Sequence, residues 1–125
     1  MRKDALIPRV VEARTATVAG DGTGVISESA THVVVTSANA VHIVTLPAPT
    51  VGKQIVIDVG ANGFKLVSTS PTTIAINGGV ATTGVASSTI AANSTIIAIC
   101  ISATAWKAIF LDADSDVAKV TAATT

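Results

Sequence analysis

The central part of the chain is a series of short apolar runs, rich in Val, Ile and Thr, that are separated by turn-forming residues. β-Branched side chains suit the pleated surface of a strand, and runs spaced about ten residues apart are typical of sandwiches and barrels. The pattern therefore predicts an all-β fold, either an antiparallel β-sandwich or a jelly-roll-like barrel, with an extended N-terminal arm. The predicted strands are residues 31–36, 41–46, 53–59, 64–68, 72–76, 95–102 and 104–111.

The runs differ in how well they alternate between apolar and polar positions. Ile55, Ile57 and Val59 alternate with Gln54 and Asp58, as expected for a strand with one face in the core and one in water. Residues 96–101 are apolar at every position and would present apolar side chains on both faces. A sandwich that stands alone in water places more polar residues outward. We therefore expect another protein to cover part of this surface.

Turn signals separate the runs. Asn62-Gly63 lies between two apolar runs and is the strongest hairpin signal in the chain. Residues 78–94 consist mainly of Gly, Ala, Ser and Thr, which predicts a long ordered loop with a short edge strand. The pattern of residues 114–123 is compatible with a short helix and leaves that segment undecided.

The charged residues are distributed unevenly along the chain. Half of them precede residue 30, and only Lys53, Asp58 and Lys65 lie between that point and residue 107. Pro8 disfavours helical geometry at Ile7, and the sequence GDGTG at 20–24 predicts a flexible turn. This organisation predicts an extended N-terminal arm and turn at residues 1–28 and a β-sandwich domain at residues 29–125.

The overall composition excludes several classes of function. Hydrophobic residues make up 49% of the chain, charged residues 13% and aromatic residues 2%, with mean hydropathy +0.63 and zero formal net charge. An ordinary domain is about a quarter charged. No basic footprint for nucleic acid is present, and no run approaches the roughly 20 apolar residues of a membrane span. The first 13 residues lack the apolar stretch of a signal peptide, so we expect none.

Candidates for catalysis or metal binding are few. His32 and His42 could meet on adjacent strands, but isolated strand histidines usually pack or face solvent. The sequence DADSD at 112–116 begins like a calcium loop, yet Val117 and Ala123 stand where the motif needs Gly and Glu. Cys100 is the single cysteine, and its apolar neighbours predict a buried thiol. We expect no enzyme activity, no metal site and no cofactor.

Several motifs in residues 40–110 resemble one group of proteins. The sequence VTLPAPTVGK at 44–53, INGG at 76–79 and the pattern S-x-T-x-W at 102–106 are similar to runs in small β-rich structural proteins of tailed bacteriophages. Some of these are capsid decoration (cement) proteins, and similar runs occur in fibre and tail modules. The shared residues are of the turn and strand type and do not form an active site.

The resemblance implies a structural virion protein that is made in the host cytoplasm and binds the outer surface of the capsid, where it stabilises the shell. The implied partner is the major capsid protein, and the implied assembly is a homotrimer, with no small-molecule substrate, nucleic acid or membrane. The extended basic arm fits a segment that reaches a capsid subunit. Its candidate partner-binding residues are Arg2, Lys3, Leu6, Ile7, Pro8, Arg9 and Arg14.

An alternative is a phage fibre, spike or tail module that binds host glycan or another virion protein. A sugar groove is usually lined by aromatic side chains, and the chain has only Phe64, Trp106 and Phe110. A hydrolase carried on the virion would need a converging cluster of His, Asp and Ser, for which no motif in the sequence gives support.

Overall fold

The computed structural model describes residues 9–18, 22–80, 87–112 and 117–124. This part of the chain contains a short 3-10 turn, Gly22–Gly24, and no α-helix. Its strands are β1 (Val11–Thr15), β2 (His32–Thr36), β3 (Ile43–Thr45), β4 (Gln54–Val59), β5 (Phe64–Val67), β6 (Ala75–Ile76), β7 (Ser88–Ile90), β8 (Thr95–Ser102), β9 (Ala105–Leu111) and β10 (Val117–Lys119).

The strands form two sheets. The large sheet has the order β1-β2-β4-β8-β9-β10, and β6 also pairs with β9; the small sheet has the order β3-β5-β7. The predicted all-β sandwich is therefore confirmed. The expected antiparallel pairing holds for β4-β8, β8-β9, β9-β10 and β5-β7, whereas β1-β2, β2-β4, β3-β5 and β6-β9 are parallel.

Three of the four parallel pairs, all except β6-β9, arise because the N-terminal half of the chain winds between the sheets. From β2 to β5 the chain alternates between the large and the small sheet, so that His32 pairs with Val56 and Ile43 pairs with Lys65. An isolated parallel bridge from Val25 to Thr45 extends the winding toward the N-terminus. Each strand thus lies beside one from the next turn of the coil, since parallel neighbours need a crossover connection.

The core lies between the inner faces of the two sheets. Trp106 and Ile57 of the large sheet and Phe64 and Leu66 of the small sheet are completely buried. Cys100 is also buried, which confirms the prediction for the thiol. Because the inner faces carry almost only aliphatic and aromatic side chains, hydrophobic burial is the main stabilising term.

The sandwich begins earlier in the chain than the expected boundary at residue 29. Strand β1 pairs with β2 from Val11 to Thr15, and both Ala16 and Ile26 belong to the core. The concentration of charge in this segment favours an arm over a strand of the sandwich. Charged side chains are, however, also common on edge strands, and β1 is such a strand. Residues 9–18 and 22–28 are thus structural parts of the sandwich, while residues 1–8 lie outside the described range.

The structure also tests the predicted edge strand within residues 78–94 and the undecided segment 114–123. The expected edge strand within residues 78–94 is β7, although residues 81–86 lie outside the described residues. Within residues 114–123 the structure has the short strand β10 instead of a helix, and residues 113–116 are not among those described. Pairing with β9 over Val117–Lys119 decides the strand conformation of this segment.

Asn62-Gly63 connects β4 of the large sheet to β5 of the small sheet, so the predicted hairpin is wrong. The dipeptide serves a different purpose there. The Asn62 side chain donates a hydrogen bond to the Ser37 carbonyl oxygen (2.9 Å), and a Cβ at position 63 would overlap the Ile90 carbonyl. Glycine is therefore required by a close approach of two backbones.

We predict that Gly63→Ala lowers the free energy of unfolding by about 1–3 kcal/mol, because the Ile90 backbone must move to accept the methyl group. Gly60→Ala in the same connection is the matched control, since its Cβ would meet the Val35 carbonyl oxygen at an ordinary 3.4 Å. Urea unfolding of both variants measures the difference. Equal stabilities would contradict the assignment of a close approach at residue 63.

Candidate interaction surface

The outer face of the large sheet is the side that points away from the small sheet. The strand register places its side chains in three rows that cross the strands. The rows are Ala13, Val34, Asp58, Thr95, Leu111 and Val117; Val11, His32, Val56, Ile97, Ile109 and Lys119; and Gln54, Ile99 and Lys107. We call this set of residues the outer face.

Most of the outer face is apolar, and no other described segment covers it. Val34, Ile109 and Val117 are 45%, 41% and 66% exposed, and Ile97 and Ile99 between them are half-buried. In β8 every second apolar side chain enters the core, and the others point outward. The expectation that residues 96–101 present apolar groups on both faces is therefore met.

The outside of the small sheet differs in character. Lys65 lies there between Ile43 and Thr89, and its ammonium group donates a hydrogen bond to the Thr89 hydroxyl (2.9 Å). An outward polar side chain is the usual condition of a sheet face in water. The middle strand of the small sheet therefore carries a charged side chain at the centre of its outside, whereas Ile97 and Ile99 occupy the centre of the outer face.

The outer face carries opposite charges on its two halves. Asp58 lies on the half formed by β2 and β4, whereas Lys107 and Lys119 lie on the half formed by β9 and β10. The apolar strand β8 separates the halves. The signal for this arrangement is present in residues 105–111, where Lys107 and Ile109 alternate with the buried Trp106 and Ala108. The alternation alone does not show which other strands share this face, because that depends on the register with β8 and β10.

Asp58 is held by two neighbours on the same face. His32 Nε2 lies 2.6 Å from one carboxylate oxygen, and the Thr95 hydroxyl donates to the other at 3.2 Å. A catalytic nucleophile would donate its hydroxyl proton to the histidine. Because the Thr95 hydroxyl and the His32 ring both bind the aspartate, this cluster positions Asp58 and does not form a nucleophile–base pair. The Asp58 side chain is still 44% exposed and can accept a further donor.

The other sites considered from the sequence do not come together. His32 lies in β2 of the large sheet and His42 precedes β3 of the small sheet, and no metal-binding group of three His, Cys, Asp or Glu occurs among the described residues. Asp112 is described, but residues 113–116 of the DADSD segment lie outside the described ranges. Phe64 and Trp106 are buried and Phe110 is half-buried, so none forms an exposed platform for a sugar ring.

A cavity of about 250 Å³ lies at one side of the sandwich. It is lined mainly by Ile90, Ile96, Phe110 and Val120, together with Thr89 and Thr121. Since this lining contains no acid, base or metal ligand, it supplies no chemistry for a reaction.

The candidate arm residues are only partly placed. Arg2, Lys3, Leu6, Ile7 and Pro8 lie outside the described residues, and Arg9 is exposed immediately before β1. Arg14 binds the Glu12 carboxylate through Nε (3.1 Å) and Nη2 (2.9 Å). Its charge is therefore matched within the chain, which distinguishes it from Arg9.

Glu12 connects the edge strand β1 to the turn that follows. Its carboxylate accepts hydrogen bonds from the Ser27 N–H (2.9 Å) and the Ser27 hydroxyl (2.7 Å) in addition to those from Arg14. Burial raises the pKa of this carboxyl, but the Ser27 hydrogen bonds and Arg14 outweigh it, so the pKa lies below its ordinary value of 4.5. The pair formed by Glu12 and Arg14 therefore has a structural role at the sheet edge.

The motifs that carry the phage resemblance have structural roles. In INGG, Asn77 (φ 51°) and Gly78 (φ 86°) adopt the left-handed backbone that a type I′ turn requires, and a Cβ at Gly79 would overlap the Ala123 carbonyl. The Asn77 side chain donates to the carbonyl oxygens of Ala108 (2.9 Å) and Val120 and accepts from the Ala108 N–H (2.8 Å). This residue joins the turn after β6 to β9 and the C-terminal segment.

The other two motifs behave similarly. In VTLPAPTVGK, Leu46 and Pro47 are buried, Gly52 has φ 88°, and the Lys53 ammonium group donates to the Glu28 carbonyl (2.6 Å). Trp106, at the end of S-x-T-x-W, is the largest fully buried side chain. These motifs therefore maintain the fold and do not line a site.

Comparisons with protein families, curated proteins and solved structures gave no significant match. The described part of the chain contains no helix with the length and hydropathy that crossing a bilayer requires.

We predict that Asn77→Ala lowers the free energy of unfolding by about 3 kcal/mol, since it leaves backbone groups of β9 and the C-terminal segment without partners. Asn93→Ala is the matched control because Asn93 is exposed and has the same left-handed backbone (φ 57°). Thermal and urea unfolding measure both variants. A loss no larger than that of Asn93→Ala would show that the side-chain hydrogen bonds contribute nothing.

We predict that Glu12→Gln lowers the free energy of unfolding at pH 7 by about 1 kcal/mol. The lowered pKa of Glu12 means that the carboxylate stabilises the fold above its unfolded-state pKa, and that this contribution is lost as the pH falls through the folded-state pKa. The difference between wild type and variant should therefore shrink below about pH 5. Urea unfolding between neutral and acidic pH tests this, with Glu28→Gln at an exposed neighbouring position as the control. A difference that stays constant with pH would contradict it.

Proposed function

We propose that this chain is a non-catalytic structural protein of a tailed-phage virion that binds the outside of the capsid and stabilises the shell. The observation that supports it most is the apolar outer face, because a sheet face of this kind is suited to contact with protein. The similarity of the motifs at 44–53, 76–79 and 102–106 to phage structural proteins supplies the biological setting.

The energetics of such a role are modest for each contact. Burial of about 300 Å² of apolar area at about 25 cal/mol per Å² favours association by about 7 kcal/mol before the entropic cost of docking. A decoration protein meets many symmetric copies of the major capsid protein, so several weak contacts per particle combine through avidity. A rigid sandwich with no chemistry of its own is sufficient for that purpose.

In this proposal the N-terminal arm contacts the major capsid protein and the subunits form a homotrimer. Arg9 is exposed immediately before β1, the strand at the edge of the large sheet. The proposed contact residues are Arg2, Lys3, Leu6, Ile7, Pro8 and Arg9; Arg14 would take part only together with Glu12, which already binds it.

A phage fibre or tail module is the second candidate, and one observation favours it. The coil of parallel strands β2-β4 and β3-β5 is the arrangement by which β-solenoids extend along one axis. The buried or half-buried positions of all three aromatic residues argue against a glycan groove. In this alternative the partner would therefore be another virion protein.

We predict that the purified chain binds expanded capsid shells of its phage saturably and binds free major capsid protein at least about tenfold more weakly, as avidity requires. Co-sedimentation with shells measures the binding. Deletion of residues 2–8 should weaken it, and a variant with Val51→Lys, an exposed position in the connection before β4, serves as the control. Absence of wild-type binding to shells would exclude the decoration role, and binding to tail or fibre components instead would favour the second candidate.

A further inference from the structure

We propose that the outer face binds a second copy of the same chain, with the β2–β4 half of one copy packed on the β9–β10 half of the next. This goes beyond the proposed function, since it assigns the subunit contact to a particular surface whichever virion component the protein binds. The argument rests on the charge pattern, the geometry of stacked sheets and the extent of the face.

The charge pattern makes the face complementary to itself. Asp58 lies on one half and Lys107 and Lys119 on the other, with the isoleucines of β8 between them. A polyanion or an anionic lipid surface would be repelled by Asp58, and a uniformly acidic partner would gain nothing from that half. A surface with both charges in the reverse order fits best, and another copy of this face is such a surface.

The geometry of sheet stacking decides which orientation uses this pattern. Rotation about an axis along the strands places β4 of one copy over β9 of the next and keeps the copies of β8 together. Rotation about an axis across the strands would place each half on itself, so that the half with Asp58 would face the half with Asp58 and the half with the lysines would face the lysines. Stacked sheets lie about 10 Å apart and are rotated by about 30°. In this orientation β10 of one copy lies over β2 of the other, so Lys119 faces His32. The Asp58 carboxylate that His32 binds lies one strand to the side, near the limit of reach of an extended Lys119 side chain.

The area of the face fits a reversible contact between subunits. Neighbouring strands are about 4.8 Å apart and residues rise about 3.3 Å along a strand, so the face measures about 25 by 20 Å. Two such faces bury on the order of 1,000 Å² in total, which is near the lower limit for specific interfaces. We therefore expect association that depends on protein concentration.

The apolar part of the chain's own arm is too short to be the occupant. Arg9 lies at the edge strand β1, three strand spacings or about 14 Å from β8 and about 19 Å from β9. A fully extended chain advances at most about 3.6 Å per residue, so Leu6 and Ile7 reach no more than about 11 Å from Arg9. Ile109 therefore lies beyond contact with these two residues of the same chain.

Light scattering coupled to size exclusion, over a dilution series of the full chain, tests the proposal. We expect a mass of at least two chains that falls on dilution. Ile97→Lys and Ile109→Lys should each raise the dissociation constant at least about tenfold. The controls Val41→Lys and Val51→Lys, at exposed positions in connections away from the face, should leave it unchanged. A wild-type mass of one chain at every concentration would overturn the proposal.

Charge reversal gives a second test that misfolding cannot imitate. Lys119→Asp and Asp58→Lys should each weaken association, and the double variant should restore it to within about threefold of wild type, since the two charges meet across the interface. Asp58→Asn controls for loss of the His32 contact within the chain. A double variant no better than the single variants would overturn the contact between halves.

The outcome is independent of the test of shell binding. If the wild-type chain is monomeric but Ile109→Lys abolishes its binding to shells, the face belongs to the capsid contact, and self-association is disproved while the decoration role stands. If the chain associates as proposed but does not bind shells, the decoration role is disproved while self-association through the outer face stands.

Discussion

Side chains alternate between the two faces of a strand, and this constraint governs the whole molecule. The small sheet covers only one face of the large sheet, so an uninterrupted apolar strand such as β8 must place half of its apolar side chains in the core and half outside. Ile96 and Ala98 complete the interior, while Ile97 and Ile99 form the centre of the outer face. The same strand therefore stabilises the subunit and creates its main candidate surface for a partner.

The few charged residues are also divided between the structure of the subunit and the outer face. The few charged groups on the body of the sandwich are used at defined places: Glu12 holds the turn after β1, Lys53 binds a carbonyl at Glu28, and Lys65 binds Thr89. On the outer face Asp58 and the two lysines occupy opposite halves. With zero net charge there is little long-range repulsion between copies, so local arrangement and not total charge governs association.

Turn signals illustrate how one local sequence serves different three-dimensional purposes. Asn62-Gly63 resembles a hairpin turn, yet it carries the chain from one sheet to the other, where Gly63 admits the Ile90 backbone. Asn77-Gly78 is a tight turn whose asparagine also binds β9 and the C-terminal segment. The dipeptides indicate where the chain changes direction. The residues that each turn contacts belong to strands that are distant in sequence.

The sequence by itself determined the all-β class, the position of most strands and the doubly apolar character of β8, because these depend on side-chain type and period along the chain. Only the tertiary structure decided that four of the strand pairs are parallel, that residues 11–15 belong to the large sheet and that Asp58 and Lys119 occupy opposite halves of one face. The parallel pairs and the place of residues 11–15 depend on register between strands more than 20 residues apart, and the opposite placement of Asp58 and Lys119 depends on the pairing of β4 with β8, whose partners are at least 37 residues apart. Pairing of that kind leaves no periodic signal within either strand.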